Sequence, residues 1–429
     1  MNITPLEAWI AHKIGADGTT LTRAKLEAYQ LERLQATLDL ARARSRFYRD
    51  LFADAPLKLT QLADLSQLPF TTAEDIRSNP LHFVCVSQDA IQRVVTLDSS
   101  GTTGNPKRIY FTREDQELTI DFFAAGMSTF TAAGDRVLIL LPGPTPGSVG
   151  DLLATALDRI GAVAIKHGPV RAATATLDVI RREGINVLVG VPTQVLALAR
   201  SPDQPPVRLK SVLLTTDHVP DAIKRAVESV WQCAVYNHYG MTEMGLGGGV
   251  DCAAHHGYHV READMLFEIV DPVTGLAVPD GDYGEVAFTT LTRDGMPLIR
   301  YRTGDVSRFL VESCACGTTL RTLERVRYRL SGRVALGDGY LTMADLDEAL
   351  FGIEAIRDFR AAVEREQGRD CLVLDMAWNA QEDLTTTLDA LLSAVPILQG
   401  VGVRVQSAGT LAASMAKRVI MDRKSAHDA

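Results

Sequence analysis

Residues 97–112 read LDSSGTTGNPKRIYFT, a polar run rich in hydroxyl groups and glycines that ends in a lysine and returns to alternating apolar residues. Gly101 and Gly104 allow backbone N–H groups to turn inward without a clash of Cβ atoms, and Lys107 adds a positive charge. Two interpretations fit this stretch. It is either a cradle for phosphate groups or an ordinary polar turn between two strands.

The loop does not have the sequence of a P-loop NTPase. The pattern G-x-x-x-x-G-K-[ST] would need a glycine where Pro106 stands and a serine or threonine where Arg108 stands. The pattern therefore disfavours that class of nucleotide-binding protein.

The sequence around the loop is typical of an α/β fold. From about residue 84 to 235, short apolar runs such as RVLILL, NVLVGV and SVLLTT alternate with helix-like segments, and residues 21–50 predict a long amphipathic helix before them. Residues 264–311 instead indicate antiparallel strands joined by turns. After SGR at 331–333 the pattern predicts a compact α+β unit with helices over 343–351 and 381–394.

These patterns predict a large N-terminal domain of layered sheets and helices and a small mobile α+β C-terminal domain. We expect the large domain over residues 1–332, with its α/β part at about 60–250 and a β-rich lobe at about 251–330. The small domain, a lid, is expected over residues 333–429.

The composition favours small-molecule chemistry. The chain of 429 residues is 46% hydrophobic and carries a net charge of −9 at pH 7, which argues against nucleic-acid and membrane partners. No apolar run has the character of a signal peptide or membrane span, so a cytoplasmic protein is expected. Six cysteines are too few for a disulfide scaffold and indicate free thiols or metal ligands.

Several strings, in this order along the chain, carry a family resemblance. After the loop come VYNHYGMTEMG at 235–245, DCAAHHGYHV, FEIVDPVTG and PLIRYRTGD at 297–305, then CACG before SGR. Together they resemble the adenylate-forming superfamily of acyl-CoA synthetases, in its phenylacetate-CoA ligase-like branch. The resemblance implies an AMP-forming acid ligase that converts an aromatic or related carboxylic acid and ATP to an acyl-adenylate, then transfers the acyl group to CoA.

The resemblance also implies the roles of individual residues. Thr242 would hydrogen-bond the α-phosphate, Glu243 would hold Mg²⁺, and Lys417 would be the catalytic lysine of the small domain. Asp305 would accept hydrogen bonds from the ribose hydroxyls, with Arg333 nearby. The full set expected to bind the nucleotide is Ser100, Gly101, Thr102, Thr103, Gly104, Lys107, Tyr239, Gly240, Met241, Asp305 and Arg333.

Four further residues near these motifs have two interpretations each. Tyr236 and His238 would wall an aryl pocket, or else belong to the core. Arg300 and Arg302, at alternate positions of a predicted strand, are interpreted as surface ion pairs and left out of the site.

The cysteines and histidines of the β-rich segment suggest one metal site. Two thiolates on a tight turn at Cys314 and Cys316 can reach a tetrahedral ion together with Cys252, and Zn²⁺ is the usual ion for Cys₃His. The family spacing selects His259 as the fourth ligand, with His256 as the alternative. Three buried free thiols with surface histidines would also fit.

The chain departs from the superfamily pattern at two places. Val334-Ala335-Leu336 replaces the expected acidic pair at the hinge, and the catalytic lysine falls on Lys417 or, with a two-residue gap, its position is taken by Met415. Other acceptors therefore stay open: a carrier protein, an amine, or the hydroxyl of a deazaflavin. A zinc-stabilised nucleotide-binding protein with weakened activity is a further alternative, and a homodimer is compatible with every one of these.

Overall fold

The computed structural model describes residues 2–16, 20–56, 58–97, 105–202, 207–378, 388–389, 392, 395–407 and 417–424. In these residues the α-helices are α1 (Pro5–Lys13), α2 (Arg23–Arg44), α3 (Arg46–Leu51), α4 (Ala73–Ser78), α5 (Arg113–Met127), α6 (Val149–Arg159), α7 (Ala173–Arg182), α8 (Pro192–Ala199), α9 (Asp221–Trp231) and α10 (Met343–Phe351). The strands are β1 (Ile91–Leu97), β2 (Lys107–Thr112), β3 (Arg136–Ile139), β4 (Val163–Lys166), β5 (Val187–Gly190), β6 (Ser211–Leu214), β7 (Ala234–Tyr239), β8 (Gly249–Asp251), β9 (Tyr258–Val260), β10 (Met265–Val270), β11 (Gly284–Thr290), β12 (Tyr301–Ser307), β13 (Thr322–Leu323), β14 (Tyr328–Arg329), β15 (Val334–Leu336), β16 (Gly339–Leu341), β17 (Ile356–Glu366), β18 (Arg369–Trp378), β19 (Gly402–Ser407) and β20 (Ile420–Asp422).

The chain forms two compact units. Unit 1 consists of Met1–Ala133, Pro144–Ala162 and His238–Arg325. Unit 2 consists of Gly134–Gly143, Val163–Asn237 and Val326–Ala429. Strand β7 begins in unit 2 and ends in unit 1. The domain boundary that we expect near residue 332 stays a prediction.

Unit 1 is built from antiparallel strands and the N-terminal helices. Strands β1 and β2 form a hairpin in which Leu97 faces Lys107, so the loop between them begins and ends at the same edge. Strand β11 pairs with β10 on one side and β12 on the other, and every residue of β11 is buried. Strand β9 pairs with β8 and β13.

Helix α5 begins directly after β2 because its first turn is capped on both sides. The Thr112 hydroxyl accepts a hydrogen bond from the Asp115 N–H at 3.1 Å, and the Asp115 carboxylate accepts one from the Thr112 N–H at 2.9 Å. This reciprocal cap fixes the direction in which α5 leaves the hairpin.

Unit 2 contains a parallel sheet in which β3 lies between β4 and β5, and β6 lies between β5 and β7. All residues of β5 and β6 are buried, as is usual for parallel strands covered by helices on both faces. Helices α7, α8 and α9 connect consecutive strands of this sheet.

The C-terminal part of unit 2 is a second sheet, in the order β19-β18-β17-β20. It shares one hydrophobic core with α8 and α9, to which Val195, Ile223, Leu346, Phe351 and Phe359 contribute. Burial of apolar surface on this scale is the dominant stabilising contribution in a fold of this kind. The core therefore holds the C-terminal sheet against those helices.

Arg418 makes polar contacts with several elements of the C-terminal part of unit 2. Its guanidinium forms an ion pair with Asp347, donates to the carbonyl of Phe359 at 2.9 Å and lies 4.2 Å from the centre of the Phe359 ring. Its backbone N–H donates to the Asp217 carboxylate at 3.1 Å. Arg418 thus joins α10, β17 and the segment after β6.

The predicted fold class is confirmed in the described residues, with one difference in an element. The long helix expected within 21–50 divides at Ser45, whose hydroxyl caps α3 by accepting from the Tyr48 N–H and donates to the His82 carbonyl. The helix predicted over 343–351 is α10, while the one predicted over 381–394 lies outside the continuously described residues. Among the described helices none is both long and apolar enough to cross a membrane.

Asp347→Asn should make the stability of unit 2 depend less on pH. Burial raises the pKa of Asp347 to about 7, against a lowering effect of Arg418, whereas an aspartate in an unfolded chain has a pKa of about 3.9. Between about pH 4 and 7 the native chain keeps a proton that the unfolded chain has lost, so the free energy of unfolding falls as the pH rises.

Urea unfolding across this pH range measures the effect, with Asp338→Asn, at an exposed position of unit 2, as the control. The decline should be smaller in Asp347→Asn and unchanged in the control. An equal decline in all three proteins would show that Asp347 carries no such proton.

Candidate active site

The turn after β7 carries the two predicted catalytic residues Thr242 and Glu243. The Leu246 N–H donates to the Met241 carbonyl at 2.9 Å, which closes the turn. A Cβ atom at Gly240 would lie 2.3 Å from the carbonyl oxygen of Leu246. Glycine is therefore required at position 240 for the chain to approach itself this closely.

Two side chains from elsewhere in unit 1 hold this turn. Arg293 donates to the Glu243 carbonyl at 2.7 Å, and the Thr119 hydroxyl donates to the Gly245 carbonyl at 2.8 Å. Burial lowers the pKa of Arg293 to about 10, so its guanidinium remains a cation at neutral pH. Neither Arg293 nor Thr119 was expected from the sequence, because nothing in their local sequence indicates a partner so far along the chain.

The Glu243 carboxylate is buried and lies against a lysine and a tyrosine. Lys107 forms an ion pair with Glu243 Oε1. The Tyr301 hydroxyl donates to the same oxygen at 3.0 Å and lies 3.2 Å from Lys107 Nζ. Burial alone would raise the pKa of Glu243, but the charge of Lys107 and the hydrogen bonds to the carboxylate together outweigh burial, so the net pKa lies below its usual value. Glu243 is thus a buried carboxylate, the form that a hard divalent cation binds.

Lys107 is the first residue of β2, at the loop end of the hairpin, where it faces Leu97. It is the described member of the predicted phosphate cradle. The residues expected with it, Ser100, Gly101, Thr102, Thr103 and Gly104, lie outside the described residues.

Asp305 lies on a bulge of β12. The register between β11 and β12 shifts between Glu285, which faces Val306, and Ala287, which faces Arg302, and Gly304 between these positions has φ +75°. The Thr303 hydroxyl donates to the Val286 carbonyl at 2.7 Å and accepts from the Asp305 N–H at 3.0 Å. The bulge is therefore held in one conformation that sets the direction of the Asp305 side chain.

Tyr239 meets Asp305 directly. Its hydroxyl donates to Asp305 Oδ2 at 3.0 Å, and its ring stacks on Tyr258 with 5.7 Å between ring centres. Two of the residues that we expect to bind the nucleotide thus share a hydrogen bond in unit 1.

Four predicted metal ligands lie together in unit 1: Cys252 after β8, His259 in β9, and Cys314 and Cys316 before β13. Their ligand atoms all lie within 4.8 Å of one another, with 3.6 Å between the sulfurs of Cys252 and Cys314 and 3.4 Å between Cys316 Sγ and His259 Nε2. A tetrahedral zinc ion with Zn–S bonds of about 2.3 Å needs this separation.

All four side chains are buried, whereas His256 is exposed and takes no part in the cluster. Burial raises the pKa of Cys252 and Cys314, so these thiols need a cation to become thiolates. Four protein ligands would leave no open position for a substrate, so the residues fit a structural zinc ion.

Comparison with known proteins identifies the family. The family model described as AMP-binding enzyme matches residues 27–290. The chain is 30% identical to the phenylacetate-coenzyme A ligase of Thermus thermophilus over 81% of this chain and 80% of that protein. It is also 30% identical to the Escherichia coli protein of the same name, over 72% of this chain and 71% of that one. The chain belongs to the AMP-binding enzyme family.

This AMP-binding enzyme also resembles solved structures in fold. A 2-hydroxyisobutyryl-CoA ligase in the post-adenylation state matches with a TM-score of 0.82 and 22% identity, over 94% of this chain and 90% of that one. The resemblance to adenylate-forming enzymes of the phenylacetate-CoA ligase-like branch is confirmed, and the chain is an AMP-forming ligase.

His238 of the AMP-binding enzyme belongs to an aromatic cluster. Its ring centre lies 6.2 Å from that of Phe122 and 6.0 Å from that of Phe123, both on α5. Burial lowers the pKa of His238 to about 4, and the Arg261 guanidinium adds to this effect, so the imidazole is neutral at pH 7. Tyr236, the other predicted pocket residue, is buried in unit 2. Phe122 and Phe123 are not among the predicted pocket residues, because their spacing in the sequence is that of ordinary residues of an amphipathic helix.

The two predicted site residues of the C-terminal part lie in unit 2. The Arg333 guanidinium lies 4.6 Å from the centre of the Tyr340 ring and 5.4 Å from that of Tyr328. Lys417 is exposed and directly precedes the anchored Arg418. Met415, the alternative at the lysine position, lies outside the described residues.

Arg300 and Arg302 form ion pairs as expected, but the expected surface position is wrong for Arg300. Its side chain is 2% exposed, pairs with Glu268 and donates to the Leu68 carbonyl at 2.6 Å. Arg302 pairs with Glu285. Both arginines hold β12 to its neighbours and have no contact with the Glu243 carboxylate among the described residues.

Cys314→Ser should remove bound zinc and lower the thermal stability together. A serine hydroxyl is a poor zinc ligand, and the free energy of binding a structural zinc is part of the free energy of folding. Zinc per chain by elemental analysis and the melting temperature are the two measurements. The control is Cys371→Ser, a buried cysteine of unit 2 outside the cluster. An unchanged zinc content in Cys314→Ser would rule out the site.

Proposed function

We propose that this enzyme activates an aromatic or related carboxylic acid with ATP and transfers the acyl group to CoA. In the first step the acid oxygen attacks the α-phosphorus and pyrophosphate leaves, giving the acyl-adenylate. In the second step the CoA thiol attacks the acyl carbon and AMP leaves. The single observation that carries the proposal is the buried Glu243 carboxylate beside Lys107, on a turn fixed by Arg293.

The residues of unit 1 supply what the first step needs. Lys107 offers a cation to the phosphates, and the Thr242 hydroxyl offers a hydrogen bond to the α-phosphate, where negative charge is redistributed as the bond breaks. Glu243 would hold Mg²⁺, which supplies charge neutralisation at the phosphates when it is bound. Asp305, oriented by Tyr239, would accept hydrogen bonds from the ribose.

The aromatic cluster supports an aryl acid as the substrate. Phe122, Phe123 and neutral His238 are rings without formal charge, and the Arg261 guanidinium beside Phe122 is paired with Asp264. Such a cluster suits an aryl ring better than an ammonium group. The name of the relatives, phenylacetate-coenzyme A ligase, points in the same direction. Tyr236 remains a proposed pocket residue on the ground of the resemblance alone.

The acceptor, the zinc ion and the location are parts of the same proposal. CoA is the acceptor we favour because the relatives are CoA ligases. The buried Cys252, His259, Cys314 and Cys316 support a structural zinc, and free thiols in a zinc site suit the reducing cytoplasm. A carrier-protein thiol, an amine and a deazaflavin hydroxyl remain outcomes of the test, and a homodimer stays a prediction.

Pyrophosphate release from ATP and Mg²⁺ tests the proposal. The panel contains aryl, arylacetic and aliphatic acids, each with and without CoA. We expect release with aryl or arylacetic acids and a higher turnover when CoA is present. Release that CoA does not accelerate would point to another acceptor. No release with any acid, despite measurable ATP binding, would favour the deazaflavin acceptor or the nucleotide-binding protein with weakened activity.

Lys417→Ala tests the proposed catalytic lysine. Loss of a cation that acts only at the transferring phosphate should lower acid-dependent pyrophosphate exchange by about 100-fold or more while ATP binding stays nearly constant. Lys424→Ala is the matched control, since Lys424 lies nearby in the chain and donates to the Ala335 carbonyl. If Lys417→Ala and the control are equally active, Lys417 is not the catalytic lysine and the gapped alignment on Met415 is correct.

A further inference from the structure

Glu243 Oε1 receives two donors of different kinds. One is the charged ammonium of Lys107, and the other is the neutral hydroxyl of Tyr301 at 3.0 Å. Neither donor uses the second carboxylate oxygen, Oε2. Tyr301 is 2% exposed and is not among the site residues predicted from the sequence.

Under the proposed function Lys107 has two partners, the Glu243 carboxylate and the phosphates of ATP. In this structure its ammonium neutralises Glu243, yet the proposed reaction needs Lys107 at the phosphates and a divalent cation at Glu243. Two cations on one buried carboxylate repel each other strongly, because the repulsion is weakly screened away from water. Binding of the metal and nucleotide therefore requires Lys107 to leave Glu243.

Departure of Lys107 would remove its hydrogen bond to Glu243 Oε1. A buried carboxylate that loses a donor is destabilised, and its side chain is free to change rotamer. Tyr301 is the other donor, and its hydroxyl carries no charge that would oppose a metal ion. It can keep Oε1 in place while Oε2 remains directed to the cation.

The Tyr301 ring is held independently of Lys107. It packs against Phe288 with 5.5 Å between ring centres. The residues on either side of it are fixed to Thr71, whose N–H donates to the Arg300 carbonyl at 3.1 Å and whose carbonyl accepts from the Arg302 N–H at 2.9 Å. The hydroxyl is thus presented from a rigid strand, as a pre-organised site requires.

We propose that Tyr301 is the positioning residue of the metal-binding carboxylate: its hydroxyl holds Glu243 Oε1 when Lys107 exchanges Glu243 for the phosphates of ATP. The inference rests on the proposed function of Glu243. It adds a residue to the site and assigns Lys107 two successive partners.

Calorimetric titration with ATP, in Mg²⁺ and in EDTA, separates this role from a structural one. Tyr301→Phe removes one oxygen and keeps the ring. We expect ATP affinity in Mg²⁺ to fall about tenfold, the size of a lost hydrogen bond to a charged group, while ATP affinity in EDTA stays within about twofold of the wild type. Tyr48→Phe is the matched control: Tyr48 is buried in the same unit, and its hydroxyl accepts from the Ile299 N–H at 2.8 Å. This control should lose stability and keep the wild-type effect of Mg²⁺.

The outcomes distinguish the two proposals. The role of Tyr301 would be wrong if Mg²⁺ changed the ATP affinity of Tyr301→Phe as it does in the wild type, or if the variant lost equal ATP affinity in Mg²⁺ and in EDTA. Neither result would contradict the role of Glu243. Wild-type ATP binding that does not respond to Mg²⁺, or Glu243→Gln with the full Mg²⁺ effect, would overturn both.

Lys107→Met provides a second measurement that does not depend on the folding of Tyr301→Phe. Without the ammonium, Mn²⁺ alone no longer competes with a cation for Glu243, while Tyr301 still holds Oε1. Electron paramagnetic resonance should show Mn²⁺ bound several-fold more tightly than in the wild type when no nucleotide is present. Unchanged or weaker Mn²⁺ binding would overturn the exchange.

Discussion

A carboxylate buried away from water has to be matched with positive charge and hydrogen-bond donors, and Glu243 imposes that requirement on unit 1. Lys107 begins β2, Tyr301 begins β12, and Arg293 holds the carbonyl of Glu243 from the segment between β11 and β12. The hairpin, the turn after β7 and the β-rich sheet thus meet at one residue. Burial of the Glu243 carboxylate opposes folding, whereas the proposed chemistry requires a carboxylate at this position.

The buried charged residues of unit 2, Arg418 and Asp347, have a different environment from that of Glu243. Arg418 pairs with Asp347 between two aromatic rings, and its partners are carbonyls and carboxylates of the same unit. Burial acts to raise the pKa of both carboxyl groups: the net pKa of Asp347 is raised, whereas Lys107 and the hydrogen bonds to Glu243 make the net pKa of Glu243 lower than usual. The difference follows from the partners, because Glu243 has a lysine and a tyrosine on one oxygen, whereas Asp347 also lies near the carboxylates of Asp217 and Asp358. We therefore infer that Arg418 and its partners stabilise the fold, whereas Glu243 and its partners serve the proposed reaction.

The sequence predicted those features that local pattern determines. Apolar runs located the buried strands β5 and β6. The spacing of the cysteines, with the family resemblance that selected His259 over His256, named four residues that lie within ligand distance of one another. It did not predict Tyr301 or Arg293, since their partner is 58 and 50 residues away and no periodicity marks such a contact. Arg300 was expected at the surface because alternation along a strand predicts exposure. Its positive φ of +48° and its stacking on Phe70 depend on tertiary packing.

The position of the proposed catalytic lysine depends on the register of the chain, and Arg418 constrains that register. Its backbone N–H is fixed to Asp217 and its side chain to Asp347, so the chain cannot slide past this point without breaking a buried ion pair. Lys417 directly precedes this fixed residue, so an ammonium proposed to act at the phosphate would extend from a chain segment whose register Arg418 sets. A shift of the alignment by two residues changes which residue is compared with the lysine of the family, but it does not change the position of Lys417 beside Arg418.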